Sequence, residues 1–77
     1  MCNIPAIDAV KTGERINQLR MAKKLSVRDL QGLFGFTTPQ AIYKWQRGEA
    51  LPSVDNLVVL ARVFAVSIEE ILGIREI

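Results

Sequence analysis

The chain has 77 residues, 49% of them hydrophobic and 23% charged, and a formal net charge of +2. That size and mix make one small globular domain, with no room for a catalytic unit beside a regulatory one. With no histidine and one cysteine, the chain excludes His-based acid–base catalysis, Ser-His and Cys-His nucleophiles, Cys/His zinc sites and an internal disulfide at Cys2.

No enzyme, cofactor or metal is therefore expected. The charge is unevenly spread: residues 1–48 carry eight basic side chains against three acidic, and residues 49–77 carry two against five. A basic front half and an acidic back half suit one face that meets a polyanion, the plain alternative being ordinary solvated charge. The longest apolar run, residues 57–66, is ten residues long and contains Arg62, where a membrane-spanning helix needs about 20. The first residues lack the basic-then-apolar order of a secretory signal. A cytoplasmic location without a membrane partner is the expectation.

Helical spacing recurs along the chain and strand alternation does not. Residues 1–11 read as an N-terminal arm that can be partly helical, because Asp8 is able to cap a turn from Ala9. The first strong helix spans Thr12 to Lys23, with Ile16 and Leu19 on one face and Gly13 as a weakening residue. Ser26 and Asp29 form a capping box for a second helix, whose apolar face is Val27, Leu30, Leu33 and Phe34 and whose end is Gly35. Thr38 precedes Pro39, which pushes Thr38 out of helical geometry and makes it the expected N-cap of a third helix with Pro39 at its first position. In that helix Ile42 and Trp45 face inward, and Gly48 ends it. Ser53 caps a fourth helix with Leu57, Leu60, Ala61 and Phe64 inward. Ser67 and Glu70 cap a short fifth helix ending at Gly73, after which residues 74–77 form an apolar tail. The fold class is all-α, with five short helices in one domain over residues 12–73.

Helices two and three are joined by a short connection containing Gly35, the arrangement a helix-turn-helix needs. Leu19-Arg20, Ser26, Leu30, Phe34-Gly35, Ile42, Lys44-Trp45, Arg47-Gly48, Pro52-Ser53 and Leu57 together resemble the Cro and phage-repressor type of helix-turn-helix, the XRE family, over about residues 12–72. The resemblance implies a five-helix lambda-repressor-like domain that binds double-stranded DNA sequence-specifically as a transcription regulator. Four departures from the family pattern stand out. Val27 replaces a Gln that touches phosphate, Gln31 replaces a small residue, and the turn is one residue longer. Gln46 replaces a Glu, so its expected ion pair with Arg20 becomes a hydrogen bond.

The chemistry of the third helix agrees with the resemblance. A helix fits the major groove and reads it from its N-terminal end. The face opposite Ile42 and Trp45 carries Gln40, Tyr43, Lys44 and Arg47, with Thr38 at the tip. Gln40 can pair bidentately with adenine, and Lys44 can donate to guanine or to phosphate. Tyr43 can stack, touch a thymine methyl or donate to phosphate. Thr38, Gln40, Tyr43 and Lys44 are the candidate base contacts. Arg20, Lys23, Lys24, Arg28 and Arg47 are the candidate phosphate contacts. The alternatives are solvated surface for Gln40 and the basic residues, and packing over the first helix for Tyr43.

One module buries little area on DNA, so a homodimer is expected, with Ile71, Leu72, Ile74 and Ile77 as the candidate surface and inverted-repeat half-sites about 10 bp apart. The expected role is a small stand-alone repressor that occupies an operator. The alternative is an antitoxin or adaptor whose main partner is another protein.

Overall fold

A computed structural model describes residues 4–76. The elements follow as β1 (Pro5–Asp8), α1 (Ala9–Ala22), α2 (Val27–Phe34), α3 (Gln40–Arg47), α4 (Val54–Phe64), α5 (Ile68–Ile71) and β2 (Gly73–Glu76). The five expected helices are present. The all-α reading is corrected by one small sheet: β1 and β2 pair antiparallel, Ile7 opposite Ile74 and Asp8 opposite Gly73. The segments read as an arm and a tail thus join at one end of the bundle. Cys2 and Ile77 lie outside the described residues.

Helix ends follow local hydrogen-bond chemistry. Asp8 accepts from the Lys11 amide at 3.0 Å, so α1 starts at Ala9 instead of Thr12. The Ser26–Asp29 box is closed in both directions, at 3.0 and 2.8 Å. Ser53 accepts from the Asn56 amide, and Ser67 and Glu70 close a second box. Gly35 and Gly48 end α2 and α3 with φ of 71° and 74°, a left-handed turn that glycine makes without penalty. Two expectations at helix ends are corrected. Helix α5 stops at Ile71, because Leu72 is already extended and Gly73 belongs to β2. Helix α3 is capped by Pro39 and not by Thr38, with no side-chain cap bond; the Pro39 carbonyl accepts the first helical bond, from the Tyr43 amide.

The core consists of Ile16, Leu30, Ile42, Trp45, Leu57, Leu60, Phe64 and Ile71, drawn from all five helices. Leu33, expected on the inner face of α2, is instead 57% exposed. It stands about 100° around the helix from Phe34, and Leu30 and Phe34 make the inward contact instead. Thr12 is the buried polar residue of the core region, and its hydroxyl is satisfied twice: it donates to the Asp8 carbonyl and accepts from the Gly73 amide at 2.9 Å. That second bond ties β2 to α1. Among the described residues no helix is long and apolar enough to cross a membrane.

Candidate nucleic-acid interface

Helix α3 is eight residues long, and its exposure splits cleanly by side. Ile42 and Trp45 are buried, Ala41 and Gln46 flank them, and Gln40, Tyr43, Lys44 and Arg47 are exposed. At about 100° per residue the four exposed positions fall within one stripe. The stripe carries a bidentate amide, a phenol and two cations, which is donor and acceptor chemistry suited to base edges and phosphates.

The inner side is held rigidly. Phe34 stacks on Phe36 with centroids 4.9 Å apart, and both meet the Trp45 indole edge-on at 5.5 and 6.0 Å. This trio joins the end of α2, the turn and α3 into one block. Such pairs add about 0.5–1.5 kcal/mol each beyond burial. Gln31, where the family pattern has a small residue, donates through its amide to the Phe36 carbonyl at 3.3 Å. The longer side chain therefore braces the turn from outside the core.

Gly13 explains how close α1 comes to α3. A Cβ there would stand 2.1 Å from the Trp45 carbonyl oxygen. The residue that weakens α1 as a helix is what lets α1 press on the C-terminal end of α3.

Turn and rim residues are placed unevenly. Thr38 is exposed in the turn, next to Thr37, which the sequence reading passed over and which is equally exposed. Arg28 and Tyr43 share an open cleft of about 700 Å³ between α2 and α3, lined also by Val27, Gln31 and Pro39. Lys23 and Lys24 are exposed in the α1–α2 turn, Lys24 with a left-handed φ of 58°. Arg47 is exposed and pairs with Glu49. Arg20 differs from the expectation of a free phosphate ligand. It is half-buried, and its guanidinium donates to the Leu25 carbonyl and to Asn17 Oδ1, both at 2.7 Å. It therefore pins the α1–α2 turn. The expected bond from Arg20 to Gln46 is absent, and both Arg20 Nε and Gln46 Nε2 are buried without a partner.

Of the candidate dimer surface, Ile71 is fully buried in the core, Leu72 packs partly against that core, Ile74 is 49% exposed on the sheet, and Ile77 lies outside the described residues.

Comparison with known proteins places this geometry. The helix-turn-helix family HTH_3 matches residues 16–71. The chain is 31% identical over 64 residues to the HTH-type transcriptional activator BcrR of Enterococcus faecalis, covering 83% of this chain and 31% of BcrR. It is 36% identical over 64 residues to an uncharacterized HTH-type transcriptional regulator, YobD, of Bacillus subtilis, covering 82% of this chain and 55% of YobD. The chain thus spans about a third and about half of these two relatives. Among solved structures it is similar to the restriction-modification controller protein C.AhdI from Aeromonas hydrophila, with a TM-score of 0.72, 33% identity, and coverage of 83% of this chain and 96% of that one. The DNA-binding domain of BldD shares the fold, with a TM-score of 0.71, 22% identity and coverage of 86% and 94%. The chain belongs to the helix-turn-helix family of the Cro and phage-repressor type, a family of transcription regulators and not of enzymes.

Proposed function

We propose that this chain binds double-stranded DNA sequence-specifically, with α3 in the major groove, and represses transcription by occupying an operator. The observation that carries the reading is the exposed stripe Gln40, Tyr43, Lys44 and Arg47 on a helix whose opposite side is locked by Ile42 and Trp45. Gln40 and Tyr43 read base edges, and Lys44 reads guanine or phosphate. Thr38 contacts the duplex at the helix tip. Lys23, Lys24, Arg28 and Arg47 meet phosphates, which position the helix without carrying sequence information. The names of the relatives support a role in transcription; that of BcrR names activation, so the sign of the effect is part of the test.

Selection of bound duplexes from a random pool, followed by a salt titration of the winner, is the experiment. Gln40→Ala should cost about 1–3 kcal/mol and relax preference at one base position. Lys23→Ala should weaken all sequences alike and flatten the salt slope by about one unit. Enrichment of no sequence, with a heteromeric partner co-purifying instead, would favour the adaptor role. A reporter carrying the selected site upstream of or across a promoter decides between repression and activation.

A further inference from the structure

The cleft between α2 and α3 has two unlike parts. Arg28 and Tyr43 stand exposed in it, while Val27, Phe36 and Pro39 are half-buried. Val27 and Phe36 also pack against the core, so these walls are fixed from behind. Val27 is the first residue of α2, held there by the closed Ser26–Asp29 box, and Pro39 caps α3 immediately before Gln40. The side chains of Val27, Phe36 and Pro39 carry no donor and no acceptor. Pro39 has no amide hydrogen either, and the Gln31 amide beside them already donates to the Phe36 carbonyl. A polar group that enters between these walls loses water and regains no hydrogen bond, whereas an apolar group gains by leaving water.

The thymine C5 methyl is the one apolar group that the four bases display in the major groove. It lies at its own strand's side of the groove, near the preceding phosphate. One nucleotide can therefore set its phosphate against Arg28 and its methyl against Val27 and Pro39. We propose that Val27, together with Pro39, is a specificity-determining residue of the DNA site and seats the methyl group of one thymine, beside the base that Gln40 reads. The proposal rests on the DNA-binding reading and adds to it a base contact made from α2. In the family pattern the position of Val27 carries a Gln that touches phosphate, a contact without sequence information. Valine exchanges that contact for one that senses a methyl group.

The test uses the duplex selected from the random pool, with each thymine replaced in turn by deoxyuridine, which deletes the methyl group and nothing else. Binding is followed by fluorescence anisotropy. At one position, beside the one that Gln40→Ala relaxes, affinity should fall about fourfold, the transfer value of one buried methyl group. A C·G pair there should bind more weakly still, and a 5-methylcytosine·G pair should regain about fourfold over it. Val27→Ala should lower the thymine-to-deoxyuridine ratio at that position to about twofold or less, and Val27→Gln should bring it to one. Tyr43→Ala should leave the ratio in place. Each ratio is taken within one protein, so a loss of stability in a variant divides out, and circular dichroism verifies the fold. A selected site with no required thymine, indifference to deoxyuridine at every position, a ratio that survives Val27→Gln, or one that Tyr43→Ala removes would each overturn the proposal. All four leave sequence-specific binding standing; a chain that enriches no duplex fails the DNA-binding reading, and the methyl contact with it.

Discussion

Replacing Gly13 by alanine places a Cβ 2.1 Å from the Trp45 carbonyl oxygen and 2.9 Å from that of Gln46. Ordinary contact begins at 3.4 Å, so the two backbones must part from 2.1 to 3.4 Å, about 1.3 Å. No flexible side chain can yield, because both obstructing atoms are backbone. In an open helix this substitution would stabilise by about 1 kcal/mol. Here overpacking costs up to about 3 kcal/mol, which leaves a net loss of about 2 kcal/mol. For a domain of this size that lowers Tm by roughly 8–16 °C. The control is Gly32, an exposed glycine within α2 with nothing within 4 Å of its Cβ position. Gly32→Ala should raise stability by about 0.5–1 kcal/mol. Urea denaturation followed by circular dichroism compares the three proteins. Because the displaced segment is the end of α3, Gly13→Ala should also weaken duplex binding. A Gly13→Ala protein as stable as wild type would refute the close-packing argument.

Further outcomes follow from single residues. Trp45→Ala empties a site that is 4% exposed and removes both edge-on contacts, so it should cost about 3–5 kcal/mol in a urea titration; a loss below about 1 kcal/mol would contradict that role. Gln46→Glu offers a carboxylate where Gln46 Nε2 and Arg20 Nε are both buried and unpartnered, and should stabilise by about 1–2 kcal/mol in thermal melts at neutral pH; destabilisation would show that Arg20 cannot reach it. Hydrogen bonds from the Ser26 amide and then the Ser26 hydroxyl hold Asp29 below its ordinary value of 3.8. A carboxylate with a depressed folded-state pKa stabilises above 3.8, and that stability vanishes as pH falls through the lowered value. Asp29→Asn should therefore melt earlier than wild type at pH 7 and alike in strong acid; a gap that persists in acid would contradict the assignment.

What was legible in the sequence was mostly local. Asp8, Ser26, Ser53 and Ser67 cap helices through bonds to amides three residues on, and Gly35 and Gly48 end them, so each signal lies within one turn of the element it governs. The inner and outer sides of α3 were legible for the same reason, since Ile42 and Trp45 are three apart. The sheet was not. Strands β1 and β2 are four residues each at opposite ends of the chain, with no hairpin turn between them, and their pairing rests on a bundle that must already be folded. Gly13 misled in the opposite way: its local effect is to weaken a helix, and its reason is a carbonyl on another helix. Arg20 was read as a phosphate contact because charge counting cannot see the Leu25 carbonyl and Asn17 that engage it. At Thr38 the rule for residues before proline correctly excluded helix, but with α3 beginning at Gln40 the cap fell to Pro39. Ile71 and Leu72 were read as candidate partner surface because a four-residue helix shows too little periodicity to tell its inner side, whereas α5 packs on α4 with Ile71 in the core.

The central claim is that the outward side of α3 lies against a duplex. The most direct measurement is an amide ¹H–¹⁵N spectrum of the labelled chain during addition of a selected duplex at low ionic strength. The account predicts the largest shifts in residues 37–47, with smaller ones near Lys23, Lys24 and Arg28 and little change along α4. Shifts centred on α4 or the β1–β2 sheet with α3 unmoved, or no shift with any duplex, would contradict it.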